Sequence, residues 1–176
     1  MKQLLWFMSI LLIGTISKAQ DLPAFPAGFV GHWQGTLNWY ADGNTSPKPV
    51  NMELHIQPSK DSAGQYTWHI IYGKATEDNR PYLLKPVDTA SGHWVIDEVN
   101  GIVLDQYWKG GKFSGAFTVG NTTIVNSYWL EKGQLHLEFF SYPTKPVATT
   151  GHGTEDSPKV DSYQIRSYQK AVLNKK

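Results

Sequence analysis

Apolar and polar residues alternate with a period of two over most of the chain beyond residue 28. In the stretch 29–40, Trp33, Leu37 and Trp39 point to one side with Gly35 between them. His32, Gln34, Thr36, Asn38 and Tyr40 point to the other. Side chains on a strand alternate between faces in this way, so the stretch predicts a strand with one buried face. Val50, Met52, Leu54 and Ile56 alternate with Asn51, Glu53, His55 and Gln57 to predict a second strand, and Tyr66, Trp68, Ile70 and Tyr72 predict a third. A fourth, near 80–87, carries Pro81 and Pro86 and is expected to be short or bent. Two β-rich runs, 94–99 and 102–108, flank Asn100-Gly101, the pair that predicts a tight two-residue hairpin with positive φ at both turn positions. Turn pairs at Gly110-Gly111, Gly120-Asn121 and Lys132-Gly133 separate further strands at 112–119, 122–130 and 135–140. Residues 143–159 lose the alternation and read as a long loop before a last strand at 160–171.

Nine or ten short strands with short connections, and no helical period, predict an all-β chain. Repeated hairpins favour a single antiparallel up-and-down barrel of about eight to ten strands, since closing a meander removes its two exposed edges. The expected barrel domain spans 29–173, after a lead-in at 20–28.

The N-terminus departs from this pattern. Lys2 is followed by a mostly apolar run from Leu4 to Ile16 and by Ser17-Lys18-Ala19, the small-x-small form of a signal-peptide cleavage site. The run is shorter than the roughly 20 residues that span a bilayer. A signal peptide at 1–19 is expected, and with it a periplasmic or secreted protein whose mature chain does not insert in a membrane. Cleavage moves the formal charge from +1 to about −1. No block of like charges occurs, which argues against nucleic acid as a partner. The absence of cysteine excludes a disulfide scaffold. Composition changes the picture most through the aromatic content of 13%, with seven tryptophans, because such side chains fill cores and line ligand pockets.

Gly31-x-Trp33, opening the first strand of an all-β chain, resembles the start of lipocalins and related calycin barrels. That resemblance implies a closed sheet holding a small apolar molecule. It also implies a structural role for Arg166 on the last strand, as the basic residue packed across Trp33 to close the barrel base. A planar guanidinium lies well on an indole face, worth about 0.5–2 kcal/mol. The chain departs from lipocalins in lacking a helix after the barrel, and from fatty-acid-binding proteins in having too short a first connection for a helical lid. The short first turn and the strand count are closer to nitrobindin-like barrels, which makes haem the alternative cofactor. No histidine on a late strand is placed to ligate it, and no cofactor is expected.

If the Trp33 face is the inside, Trp39, Trp68, Tyr72, Trp94, Trp108 and Tyr128 line a cavity, with Glu98 and Gln106 as the polar groups that orient a ligand. A filled core uses the same residues. Glu98 and Gln106 share a parity across the expected Asn-Gly hairpin, which also admits Glu98 as a base of an isomerase or lyase. No nucleophile elbow, phosphate loop or dinucleotide fingerprint occurs, and no catalytic residue is assigned. Among the six histidines, His55 and His69 share the outward parity on adjacent strands. No third ligand or carboxylate completes a set in the sequence, so no metal site is expected. His152 falls in the long loop. The expected function is binding or carriage of a small hydrophobic or amphipathic molecule without catalysis. The alternative is a carbohydrate- or surface-binding module that uses Tyr40, Tyr107 and Trp129.

Overall fold

The computed structural model describes residues 24–176. The expected signal peptide at 1–19 and the start of the lead-in lie outside the described residues. A short 3-10 turn, Ala27–Phe29, precedes twelve strands. They are β1 (Gly31–Tyr40), β2 (Lys48–Ile56), β3 (Tyr66–Tyr72), β4 (Asp78–Asp88), β5 (His93–Asp97), β6 (Val103–Lys109), β7 (Lys112–Val119), β8 (Thr122–Glu131), β9 (Gln134–Pro143), β10 (Ala148–Thr150), β11 (Val160–Ser162) and β12 (Ser167–Lys175).

Ten of these strands form a closed antiparallel barrel in the order β1-β12-β9-β8-β7-β6-β5-β4-β3-β2. Closure is made by β1 and β12, which run in unbroken register from Trp33 opposite Lys175 to Tyr40 opposite Tyr168. The fold is therefore the expected meander, closed on itself so that the barrel has no free edge. One excursion interrupts it. Residues expected to form a featureless loop contain β10, which pairs with β11 as an exposed two-stranded ribbon. The last predicted strand accordingly divides into β11 and β12.

Two further local expectations are corrected. β4 is not short: Pro81 sits opposite His69 within the ladder, while an irregularity of the kind that bends a strand falls between Pro86 and Asp88, where the register to β5 shifts. The Asn-Gly pair does not make a two-residue turn. Pairing stops at Asp97 opposite Val103, leaving a five-residue connection. Asp97 Oδ1 accepts the Val99 N–H at 2.8 Å, and Asn100 Oδ1 accepts the Ile102 N–H at 2.9 Å. These two side chains stabilise a wider loop in which Val99 and Gly101 carry the positive φ angles, 61° and 98°.

The inward faces do not fill the barrel evenly. At the end where β1 begins, Phe29 is completely buried and its carbonyl accepts the Trp33 indole N–H at 2.7 Å. Phe25 wedges in beside it, stacked on Phe113 and Trp108 with ring centroids 4.4 and 5.0 Å apart, and edge-on to Trp94 at 5.3 Å. The middle is packed as well: Trp68 meets Tyr128 edge-on at 5.0 Å, among buried Met52, Leu54, Ile56, Leu84, Leu135 and Leu137. Among the described residues, the opposite end, where β1 finishes and the ribbon projects, is left open.

Candidate functional site

The open end is built where the inward parity of several strands runs past the packed middle. β1 contributes Leu37 and Trp39, β2 Val50, β3 Tyr72, β4 Asp78 and Arg80, and β12 Gln169; together they line a hollow of about 380 Å³. A second hollow of about 210 Å³ shares Tyr72, Arg80 and Gln169 with it and extends over Phe117, Ile124 and Phe139. The ladders explain the grouping. Trp39 pairs with Gln169 and Gln169 with Phe139, while Met52 pairs with Tyr72 and Ile70 with Arg80. These residues lie on separate rungs, and the tilt of the strands brings their apolar walls and a few polar groups to one end.

The polar groups form one cluster. Arg80 Nε and Nη2 donate to the two carboxylate oxygens of Asp78, both at 2.8 Å. The guanidinium carbon lies 4.9 Å from the Tyr72 ring centroid, within cation–π range. Hydrogen bonding to Arg80 holds the Asp78 carboxyl below the ordinary carboxylate range, and the same bond raises the guanidinium further. Burial pushes the Tyr72 phenol up to about 12, against the pull of the Arg80 charge. At the rim, the Trp39 indole N–H donates to Ser167 Oγ at 3.0 Å and Lys48 Nζ stands 5.9 Å from the Trp39 ring. The lining therefore offers aliphatic and aromatic walls, a paired Arg–Asp that is half open to solvent, and an amide.

Of the residues expected to line a cavity, Trp39 and Tyr72 face this hollow. The others do not line it. Trp68 and Tyr128 are buried in the packed middle, and Trp94 and Trp108 close on Phe25 at the far end. Gln106 is completely buried with its amide against Gly115, where even a methyl group would collide with it. Neither polar atom of that amide reaches a partner among the described residues. Glu98 is not the mate of Gln106, which lies opposite Trp94. Instead Glu98 lies in the widened loop near Tyr82, whose phenol is raised by burial and by the Glu98 charge. A Glu98–Gln106 pair as base and orienting group is thus absent.

Arg166 is corrected too. It is exposed and precedes β12, its backbone N–H bonded to Ser141 O at 2.8 Å. The cation over Trp33 belongs to Lys175, with Nζ 5.4 Å from the ring centroid. The Lys175 side chain crosses Gly31, where a Cβ would stand only 2.5 Å from its Cε. Gly31 leaves room for this crossing, and the Gly-x-Trp opening seats a lysine. Arg80 was the main residue that sequence reading missed. Its signal was available: on β4 it shares the inward parity of Tyr82 and Leu84, the parity set by fully buried Leu84.

The histidines are also arranged differently from expectation. A carboxylate does stand with them: Glu53, with His32 and His55, on the outer wall. No histidine is among the described residues lining the hollow, so an imidazole ligand for haem is not supplied there. The outer aromatics do not form one platform. Tyr107 and Trp129 lie on the wall of β6 to β8, stacked on His93 and His136 and covered by Lys109 and Lys112. Tyr40 packs with Tyr168 at the other end of the barrel.

No family model and no curated protein matches the chain. Among solved structures it is similar to a Nostoc punctiforme protein of unknown function from the DUF3598 family, with a TM-score of 0.58 and 13% identity over 84% of this chain. The match covers 47% of that protein, so the chain spans about half its length. At this identity the likeness extends to the fold alone: a ten-stranded antiparallel barrel, consistent with the calycin-like architecture.

Proposed function

We propose that the protein binds a small amphipathic molecule through the open end of the barrel, in an extracytoplasmic compartment and without catalysis. The observation that carries this reading is the uneven filling of the interior. Aromatic side chains pack one half solid, while the other keeps a hollow where Leu37, Val50, Phe117, Ile124 and Phe139 converge on Arg80, Asp78 and Gln169. A mostly apolar recess with a few convergent polar groups is the usual form of a small-molecule site. Its size suits a ligand whose apolar part lies against Phe117 and Phe139, with a hydrogen-bonding or acidic end at the free Arg80 donors.

Titration with decanoate and with decanol, followed by calorimetry and by tryptophan emission, tests this. Trp39 is the tryptophan that lines the hollow, so Trp39→Phe should abolish the emission change and leave the heat. Gln169→Phe, placed on the wall common to both hollows, should block both ligands. Arg80→Met should weaken decanoate about tenfold relative to decanol, the loss expected for a hydrogen bond to a charged group. Equal binding by the wild type and Gln169→Phe would sink the reading.

A further inference from the structure

On the outer wall of the packed half, β1 and β2 pair in a register that places His32 directly opposite His55 and Gln34 opposite Glu53. Glu53 and His55 are two residues apart on one strand and so share the outer face. The two imidazole rings lie 3.8 Å apart. His32 Nε2 and His55 Nε2 approach the same Glu53 oxygen, Oε2, at 2.8 and 2.9 Å. All three potential ligand atoms lie within 4.8 Å of one another. We propose that His32, Glu53 and His55 form a surface site for a divalent transition-metal ion, zinc in the first instance, held by two Nε2 atoms and one carboxylate oxygen.

The chemistry of the donor set fits. Imidazole nitrogen and carboxylate oxygen bind zinc at about 2.0–2.2 Å, and two histidines with one glutamate, plus a fourth position left to water, make a recurrent open zinc set. Each Nε2 becomes a ligand through its lone pair when the neutral imidazole takes the tautomer protonated on Nδ1, its Nε2 proton exchanging through solvent, so only a small spreading of the three side chains is needed. A glutamate carboxyl is anionic at neutral pH, so it brings negative charge to the set. The side chains are 33%, 26% and 31% exposed, open to an ion from solvent yet anchored on two paired strands. His69 extends the row, opposite His55 with its ring 5.3 Å away, and is hydrogen-bonded to Asn79. Lys176 is the nearby cation whose charge acts on Glu53. The triad shares no residue with the hollow at the barrel mouth.

Zinc chloride titrated into the tag-free full chain, in competition with a chromogenic chelator, tests the site. The expected result is one zinc per chain at micromolar affinity. His55→Ala and Glu53→Gln should each weaken binding at least about tenfold, and His152→Ala, in the ribbon, should leave it unchanged. Loss of binding in His152→Ala, or equal binding by the wild type and a His32→Ala/His55→Ala variant, overturns the proposal. Should a variant fail to fold, wild-type imidazole NMR signals decide: those of His32 and His55 must move on zinc addition, and stationary signals refute the site.

Discussion

At the scale of single residues, the barrel base is held by an amine where a guanidinium was expected. Lys175 crosses Gly31 to reach Trp33, tying the end of the last strand to the start of the first. Lys175→Ala should therefore lower stability by about 0.5–1 kcal/mol, the range for an exposed cation–π contact. Arg166→Ala should leave the denaturation midpoint unchanged, and urea melts of the two variants compare them directly. Val99 gives an opposite sign. It is exposed and β-branched, yet holds a φ of 61° because the Asp97 and Asn100 side chains fix the loop around it. A left-handed conformation costs such a residue about 1–2 kcal/mol, so Val99→Gly should raise stability by about 1 kcal/mol, read by the same melts. Neither feature was legible in the sequence. Gly31-x-Trp33 announced a cation on the indole, but naming it needs the β1–β12 register. Asn100-Gly101 announced a turn, but its length depends on which neighbouring side chains accept the loop N–H groups.

At the scale of elements, period-two alternation made the barrel strands visible, because each has one face against the interior and one against water. It weakened where that contrast fades. β4 has exposed residues at both its ends, and its prolines sit in the ladder or at a register shift. β10 and β11 are exposed throughout and carry no buried face to announce them. The lead-in was the larger omission. Phe25 read as part of the lead-in and Phe29 as the start of the first strand, whereas the short turn at Ala27–Phe29 folds both in as the barrel's stopper. Phe29→Ala, removing a completely buried ring, should cost about 3–5 kcal/mol. Near-ultraviolet circular dichroism should report it too, through the loosened Trp33 and Trp108 rings that Phe29 touches.

At the scale of the whole molecule, buried phenols make stability depend on alkaline pH. Burial pushes Tyr72 from an ordinary value of 10.0 up to about 12, and burial together with Glu138 does the same for Tyr168. Tyr128, deeper still, is raised further by its burial. The neutral phenol is favoured in the folded state, so its contribution is fully present below the unfolded value of about 10. As pH rises, the unfolded chain ionises first, and that contribution should be lost progressively between about pH 10 and 12. Urea midpoints across that window check the sign, and Tyr72→Phe should flatten the fall. The position of the hollow is likewise a property of the whole ring. Inward parity named its possible walls, but which of them are left uncovered depends on how far the stopper and the central tryptophan reach along the axis. Among the described residues the interior is consequently a cul-de-sac: with Phe25 and Phe29 seated in its floor, anything that lodges beside Arg80 arrives and departs by the one doorway they leave. Its dwell time would be set at that rim, by Trp39, Arg80 and Gln169, however well the deeper layers are packed.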